Sequence, residues 1–248
     1  MILDNIKKIE LEITSNCNAA CPGCARTQNL DLISIDTITL SDIMMMFPEE
    51  EYIRDKNFKF CGVLGDPAMN KDCLEIVRYL VANGGFCQLS TNGGLRDAAF
   101  WAELGKLSYY TELVDINFCI DGHKDTNHIY RINVDWDVLS KNIESYSLGG
   151  QGKSLATWIY IVFDHNEHEL AIAEDHANRL GFQFATRTGM RNSLDTWIAD
   201  LKKRDKRTRE LKIETVKITT TGEKEHTKKE LVADLDKFIE ISKIRSQD

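Results

Sequence analysis

The chain has 248 residues and a formal net charge of −8, so it is long enough for one large α/β domain, and its charge argues against binding nucleic acid over its whole surface. No apolar run approaches the roughly 20 residues that span a bilayer, and residues 1–8 lack the apolar core of a signal peptide. The seven cysteines are an odd number confined to the first half, unlike those of a secreted disulfide scaffold. These features predict a cytoplasmic protein with no membrane segment.

The first predicted strand, residues 9–14, leads into a loop that we call the cysteine loop, residues 15–26. It holds three closely spaced thiols: Cys17, Cys21 and Cys24. Pro22 and Gly23 keep the loop from forming a regular helix, so the thiols can converge. A structural zinc site needs four protein ligands, and no histidine is near enough in sequence to complete the set. Three thiolates suit an iron–sulfur cube with one iron left open; the alternative is an incidental group of reduced thiols.

Strand-like and helix-like stretches alternate after this loop. Further strands are predicted at residues 58–64, 86–90, 113–120, 155–163 and 182–187. Helices are predicted from a Ser41 cap to Pro48, then at 70–83, 96–107, 136–146 with an Asp135 cap, and 167–180 with an Asn166 cap. Six such β/α units predict a parallel sheet with right-handed crossovers.

Several apolar positions are expected to lie in the core. Met44, Met45 and Met46 are interpreted as core filler. The remaining cysteines are interpreted as buried small hydrophobic residues: Cys61, Cys73, Cys87 and Cys119.

The pattern changes after residue 187. Residues 200–212 are dense in Lys and Arg and are interpreted as a solvated helical face, with contact to an acidic ligand as the alternative. Residues 213–220 alternate like a strand, and 228–244 form an amphipathic helix. We therefore expect a barrel-like domain at 1–190 and a short C-terminal α/β extension at 191–248.

Polar and glycine residues follow the predicted strands, where ligands gather at the carboxyl edge of a parallel sheet. A carboxylate after the second strand could accept a hydrogen bond from an ammonium group, and an arginine after the fourth could grip a carboxylate. Taken alone, Asp66 is also explained as a turn residue before proline, and residues 90–94 by a plain turn. The candidates are Gly65, Asp66, Ser90, Thr91, Asn92, Asp121 and Arg131.

On these residues the sequence resembles the radical S-adenosylmethionine (SAM) enzymes. The form Cys-Asn-x-x-Cys-Pro-x-Cys is similar to their cluster-binding motif, and residues 65–70 resemble their Gly-Gly-Glu-Pro segment. Residues 90–93 resemble their Thr-Asn-Gly segment, and 118–122 their Ser-Ile-Asp-Gly run. The chain departs from the usual family residue at Gly23, Leu64, Asp66 and Cys119.

The resemblance implies a partial (β/α)6 TIM-like barrel. It also implies that Cys17, Cys21 and Cys24 bind three irons of a [4Fe-4S] cluster whose fourth iron is chelated by SAM. Reductive cleavage of SAM would then give a 5′-deoxyadenosyl radical that abstracts a substrate hydrogen, with electrons from a donor such as flavodoxin or ferredoxin. The implied cofactor-binding residues are Gly23, Gly65, Asp66, Ser90, Thr91, Asn92, Cys119, Asp121 and Arg131.

The motif looks most like the peptide- and protein-modifying branch that carries SPASM-type auxiliary clusters. No cysteine follows Cys119, which predicts either that this protein has no auxiliary cluster or that the chain is a shortened form. The expected substrate is a peptide or a small metabolite. The alternatives are an RNA-modifying radical SAM protein that docks RNA on residues 202–212, and a non-catalytic cluster-binding scaffold.

Overall fold

The structure is a computed structural model that describes residues 6–60 and 63–187. Its centre is a six-stranded sheet in which all paired strands are parallel and the spatial order follows the chain. The strands are β1 Lys8–Leu11, β2 Asn57–Phe60, β3 Phe86–Thr91, β4 Val114–Cys119, β5 Leu155–Ile161 and β6 Gln183–Arg187. The described sheet is open, with β1 and β6 at its edges. The predicted partial TIM-like barrel is confirmed.

Helices connect successive strands, as the alternating pattern predicts. They are α1 Ala25–Gln28, α2 Leu40–Met46, α3 Cys73–Ala82, α4 Ala98–Thr111, α5 Asn127–Tyr130, α6 Trp136–Gly149 and α7 Leu170–Arg179. The short helices α1 and α5 follow β1 and β4 and were not expected from the sequence. Among the described helices, none combines the length and apolar character needed to cross a membrane.

The helices pack on one face of the sheet, where alternate strand residues are buried. Phe118 of β4 lies with its ring centroid 5.4 Å from Trp101 of α4 and 5.5 Å from Tyr146 of α6. The ring centroids of Trp158 in β5 and His176 in α7 are 5.6 Å apart. Trp158 and Tyr160 are fully buried on this face, so the intervening residues of β5 point to the other one.

The opposite face, which we call the inner face, carries rows of side chains in register across the strands. Glu10, Lys59, Gln88 and Asp115 form one row. Within it Lys59 Nζ lies 3.5 Å from Glu10 Oε1, and Gln88 Nε2 donates to Asp115 Oδ2 at 2.8 Å. The next row toward the carboxyl ends is Ser90, Asn117, Thr157 and Gln183. The inner face is therefore rich in hydrogen-bonding groups.

The predicted helix cap at Ser41 is wrong, and Asn166 stands at the N-cap position of the 3-10 turn Glu167–Glu169 but makes no side-chain capping bond. Helix α2 is capped by Thr39, whose hydroxyl accepts from Asp42 N while the Asp42 carboxylate accepts from Thr39 N, and this reciprocal pair displaces Ser41 from the cap position. Asn166 makes no capping bond to α7; its side chain binds the loops after β4 and β5 instead. The Asp135 cap is confirmed, since its carboxylate accepts from Val138 N.

The core interpretation is wrong at Met44, Met45 and Met46, whose side chains are exposed at the end of the short helix α2. It is correct for Cys73 and Cys87, which are fully buried. Cys119 is half-buried because it lies on the inner face. Cys61, the predicted boundary at 190/191, and the predicted C-terminal extension lie outside the described residues.

Candidate functional site

A cavity of about 200 Å³ opens at the carboxyl edge of the sheet. Eleven of the twelve residues predicted for the site line it. They are Cys17, Cys21, Gly23, Cys24, Gly65, Asp66, Ser90, Thr91, Asn92, Cys119 and Arg131. The twelfth, Asp121, is fully buried beside Arg131 rather than on the cavity wall. The sequence did not single out Arg26 or Ile161, which also line the cavity.

The cysteine loop is held at its base and at its tip. At the base, Ser15 and Asp36 exchange backbone and side-chain hydrogen bonds, and Arg26 Nε donates to Ser15 O at 2.8 Å. Near the tip, Ala20 N donates to Ile132 O at 3.0 Å. The loop thus packs between the segment that follows it and the segment after α5, which turns its thiols toward the cavity.

Burial dominates the acid–base behaviour of the thiols. It raises the pKa of Cys17 to about 11, helped by the nearby Asp66. It also raises the pKa of Cys21, although the Arg131 guanidinium opposes this rise. A thiol must lose its proton before it binds a metal, so metal binding here is coupled to proton release.

The loop after β2 is built on close backbone packing. Gly65 allows it, because a Cβ at this position would overlap the carbonyl oxygen of Thr14. The Glu12 carboxylate accepts from Val63 N at 2.9 Å and Leu64 N at 3.4 Å. Sequence reasoning missed Glu12, which directly follows β1 and fixes one wall of the cavity.

Asp66 joins the loops after β2 and β3. Its carboxylate accepts from Thr91 Oγ1 at 2.9 and 3.0 Å, from Asn92 N at 2.8 Å and from Ala68 N at 3.0 Å. Burial outweighs these bonds and raises its pKa. Asn92 extends the network, since its Nδ2 lies 2.8 Å from Asn18 Oδ1 and 3.9 Å from Cys17 Sγ. Most of the acceptor capacity of Asp66 is therefore used inside the protein.

The loop after β4 places a buried ion pair next to the cysteine loop. Arg131 Nη2 lies 2.7 Å from Asp121 Oδ2, and Arg131 Nη1 lies 3.7 Å from Cys21 Sγ. Burial acts to lower the pKa of Arg131, but Asp121 together with Cys21, Cys119 and Tyr130 outweighs it and holds that pKa above its ordinary range. The guanidinium thus carries a permanent positive charge at the cavity wall.

No model of a protein family and no curated protein matches the sequence. Solved structures do match. Streptococcus suis SuiB bound to S-adenosylmethionine aligns at a TM-score of 0.56 with 11% identity, covering 83% of this chain and 47% of SuiB. SuiB bound to its precursor peptide SuiA aligns at 0.57 with 10% identity, covering 83% and 46%. A cobalamin- and [4Fe-4S]-bound radical S-adenosylmethionine methyltransferase, TsrM from Kitasatospora setae, aligns at 0.49 with 11% identity, covering 73% and 36%.

SuiB is a radical SAM enzyme, and its likeness covers most of the described sheet and helices. The chain has the radical SAM fold. It spans less than half the length of the SuiB chains that it matches.

Three buried asparagines stabilise the loops of this radical SAM fold, and each donates both amide N–H groups to backbone carbonyls. Asn70 donates to Ile13 O and Ile38 O, Asn142 to Gly93 O and Leu95 O, and Asn166 to Asp121 O and Ile161 O. Sequence reasoning missed their role because an asparagine near a turn or in a helix looks the same whether it is exposed or buried.

The cysteine loop places three thiols on one wall of the cavity. Among residues 6–60 and 63–187, no three His, Cys, Asp or Glu side chains are close enough to hold a single metal ion. An iron–sulfur cluster spreads its thiolate ligands over separate irons, so it needs wider spacing. The donor set of Cys17, Cys21 and Cys24 on one cavity wall fits such a cluster with one iron unligated by protein.

Proposed function

We propose that the protein is a radical SAM enzyme that holds a [4Fe-4S] cluster at Cys17, Cys21 and Cys24 and binds SAM in the adjoining cavity. One observation carries this proposal: the three thiols and the loops after β2, β3 and β4 line a single cavity at the carboxyl edge of the sheet. The fold shared with SuiB supports it.

Bound together, the cluster and SAM would supply reductive cleavage of SAM and a radical able to abstract hydrogen. The chain's own residues position and enclose these groups. Asn92 Nδ2 lies 3.9 Å from Cys17 Sγ and Arg131 Nη1 lies 3.7 Å from Cys21 Sγ, so each orients one ligand sulfur. Ser90, Cys119 and Ile161 would form the wall that substrate approaches from the inner face.

The proposed substrate is a peptide, with a small metabolite as the alternative. SuiB, with the same fold, has been captured with its precursor peptide SuiA. The row Ser90, Asn117, Thr157 and Gln183 below the cavity offers hydroxyl and amide groups that suit a polar chain. An electron donor such as flavodoxin or ferredoxin completes the proposal.

Anaerobic reconstitution tests the cofactors. The full chain is expected to bind four irons and four sulfides and to release 5′-deoxyadenosine from SAM when reduced. The C17A/C21A/C24A variant is the control and should do neither. A wild-type chain that takes up no cluster would overturn the proposal, and a cluster whose spectrum ignores SAM would favour a non-catalytic scaffold.

Substrate class is tested with the reconstituted protein and size-fractionated cell extract. If the substrate stimulates SAM cleavage, the rate of 5′-deoxyadenosine formation rises when the fraction that contains the substrate is added. Stimulation by the peptide fraction that disappears after protease treatment would support a peptide substrate. Stimulation only by the protease-resistant small-molecule fraction would assign a metabolite, and stimulation only by an RNase-sensitive fraction would assign RNA.

A further inference from the structure

Arg131 lies where it can act on the cluster-binding loop rather than only on a ligand in the cavity. Its Nη1 is 3.7 Å from Cys21 Sγ, within hydrogen-bond range for sulfur, and its Nη2 is 2.7 Å from Asp121 Oδ2. The side chain is 17% exposed and Asp121 is fully buried. The contact with sulfur is therefore shielded from bulk water.

Asp121 and Tyr130 hold the guanidinium of Arg131 in this position. Asp121 Oδ1 accepts from Ile161 N at 2.6 Å, and Asp121 N donates to Asn127 Oδ1 at 3.1 Å, so the carboxylate is fixed to β5 and the backbone of Asp121 to the start of α5. The Arg131 guanidinium carbon also lies 5.5 Å from the centroid of the Tyr130 ring. Arg131 has little freedom to leave Cys21.

A positive charge beside a cluster ligand changes the reduction potential of the cluster. Reduction adds negative charge, so a nearby cation and an N–H group that donates to sulfur both stabilise the reduced state. Asp66 and Asp121 are the opposing charges, and Arg26 is a second cation near Cys17. Among these groups, Arg131 is the cation that contacts a cysteine sulfur directly.

We propose that Arg131 is a positioning residue that raises the reduction potential of the cluster by donating to the Cys21 sulfur and placing its charge there, and that Asp121 holds it in place. This inference rests on the proposed function, because it requires a cluster at Cys21. It differs from the implied role of Arg131 as a cofactor-binding residue, since it predicts an effect without SAM.

The test measures the potential of the reconstituted full chain by EPR-monitored redox titration in the absence of SAM. At the wild-type midpoint potential, the ratio of reduced to oxidised cluster in R131Q is expected to be at least about tenfold lower than in wild type, equivalent to about 59 mV for one electron. D121N removes a negative charge but keeps a side-chain oxygen that can accept from Arg131, so its potential should not fall. R179Q removes a cation that is 66% exposed on α7 and should leave the potential unchanged.

The double variant R131Q/D121N keeps the test decisive if R131Q alone does not fold, because it leaves no unpaired carboxylate in the interior. Its potential should lie between those of wild type and R131Q, because Arg131 is nearer to Cys21 than Asp121 is. Circular dichroism and iron content verify folding and loading. Equal potentials in wild type, R131Q and the double variant would overturn the inference, whereas a wild type that forms no cluster would refute the proposed function instead.

Discussion

Asp66 has a shorter side chain than the glutamate usual at this position, and its contacts differ accordingly. A glutamate is usual at this position in the family that the sequence resembles, where it holds the amino group of SAM. Here the aspartate is 3% exposed and its carboxylate accepts from Thr91, Asn92 and Ala68. The residue ties two cavity loops together, so a bound ammonium group would have to share its oxygens with them.

We predict that D66N destabilises the protein by about 1–3 kcal/mol, because an amide has one acceptor oxygen and brings an N–H group against other donors. Urea unfolding of the apo protein measures the loss. D97N is the matched control, since Asp97 caps α4 by accepting from Phe100 N and asparagine caps helices equally well. Equal stability of D66N and D97N would contradict the structural role assigned to Asp66.

The positions of helices and loops also depend on buried polar side chains whose burial the sequence does not show. Helix α6 carries Asn142, which is 2% exposed and reaches the loop after β3 through Gly93 O at 2.8 Å and Leu95 O at 2.9 Å. A helix that packs behind the sheet therefore sets the shape of a loop on the cavity wall. The three asparagines play this part for the loops after β1, β3, β4 and β5.

N142A is expected to cost about 1–3 kcal/mol of stability because it leaves two buried carbonyls without their donor. It should also weaken SAM binding by the reconstituted protein more than it reduces iron content, since Asn142 holds the Asn92–Gly94 side of the cavity and not the cysteine loop. Isothermal titration and iron analysis separate the two effects. K141A, exposed on the same helix, is the control and should change neither.

Helix α7 and the loop after β4 meet through two histidines. His123 Nε2 and His176 Nδ1 are 3.2 Å apart, which requires at least one neutral ring. Burial lowers both pKa values, and the proximity of His123 lowers that of His176 further. Glu169, Asp125 and Arg179 face His123, while Arg179, Glu144 and Asp175 face His176.

These shifts predict that stability falls on acidification. The unfolded chain protonates its histidines at the ordinary value of 6.5, whereas the folded pair does so at lower pH, so the unfolded state binds more protons below 6.5. The thermal midpoint should therefore drop between about pH 7.5 and 5.5. H176Q should reduce this dependence while the exposed H168Q should not; identical pH profiles for H176Q and wild type would contradict the assignment.

The stability of the whole molecule depends on the helix-covered face of the sheet. Phe118 is fully buried and joins α4, α6 and the start of β6 through Trp101, Tyr146 and Phe182. F118A is predicted to lose about 3–5 kcal/mol in urea unfolding because it removes a buried ring and leaves a cavity. L155A on β5, where Leu155 is 40% exposed, should lose far less. Comparable losses would show that the core lies elsewhere.

For the fold of the whole molecule, the sequence was most informative where the hydrophobic pattern of strands and helices repeats. Alternating apolar strands and helices predict all six strands and the parallel order, because hydrophobic periodicity and connection length are local properties. The short helices α1 and α5 were missed since four-residue helices leave no periodic signal. The cap of α2 was assigned to Ser41 because Thr39, which has a similar hydroxyl, lies two positions before it.

For the candidate site, motifs located the loops but not the contacts. Eleven predicted residues line one cavity because strand ends in a parallel sheet share an edge. That Asp66 binds Thr91 and that Arg131 reaches Cys21 depend on tertiary distances across 25 and 110 positions of chain. No local pattern encodes such distances. The roles of these residues toward a cluster and SAM stay predictions.

The polar inner face also has a consequence for hydration. Ser90, Asn117 and Thr157 lie in register and half-buried, so water that enters the half-barrel meets a surface able to bind it. A compound that displaces this water must replace the hydrogen bonds that the water made to the protein. Each buried polar group left without a hydrogen-bond partner would cost about 1–3 kcal/mol. Selection of a bound compound would then begin with desolvation, because an apolar compound of the right size would leave these polar groups unpaired.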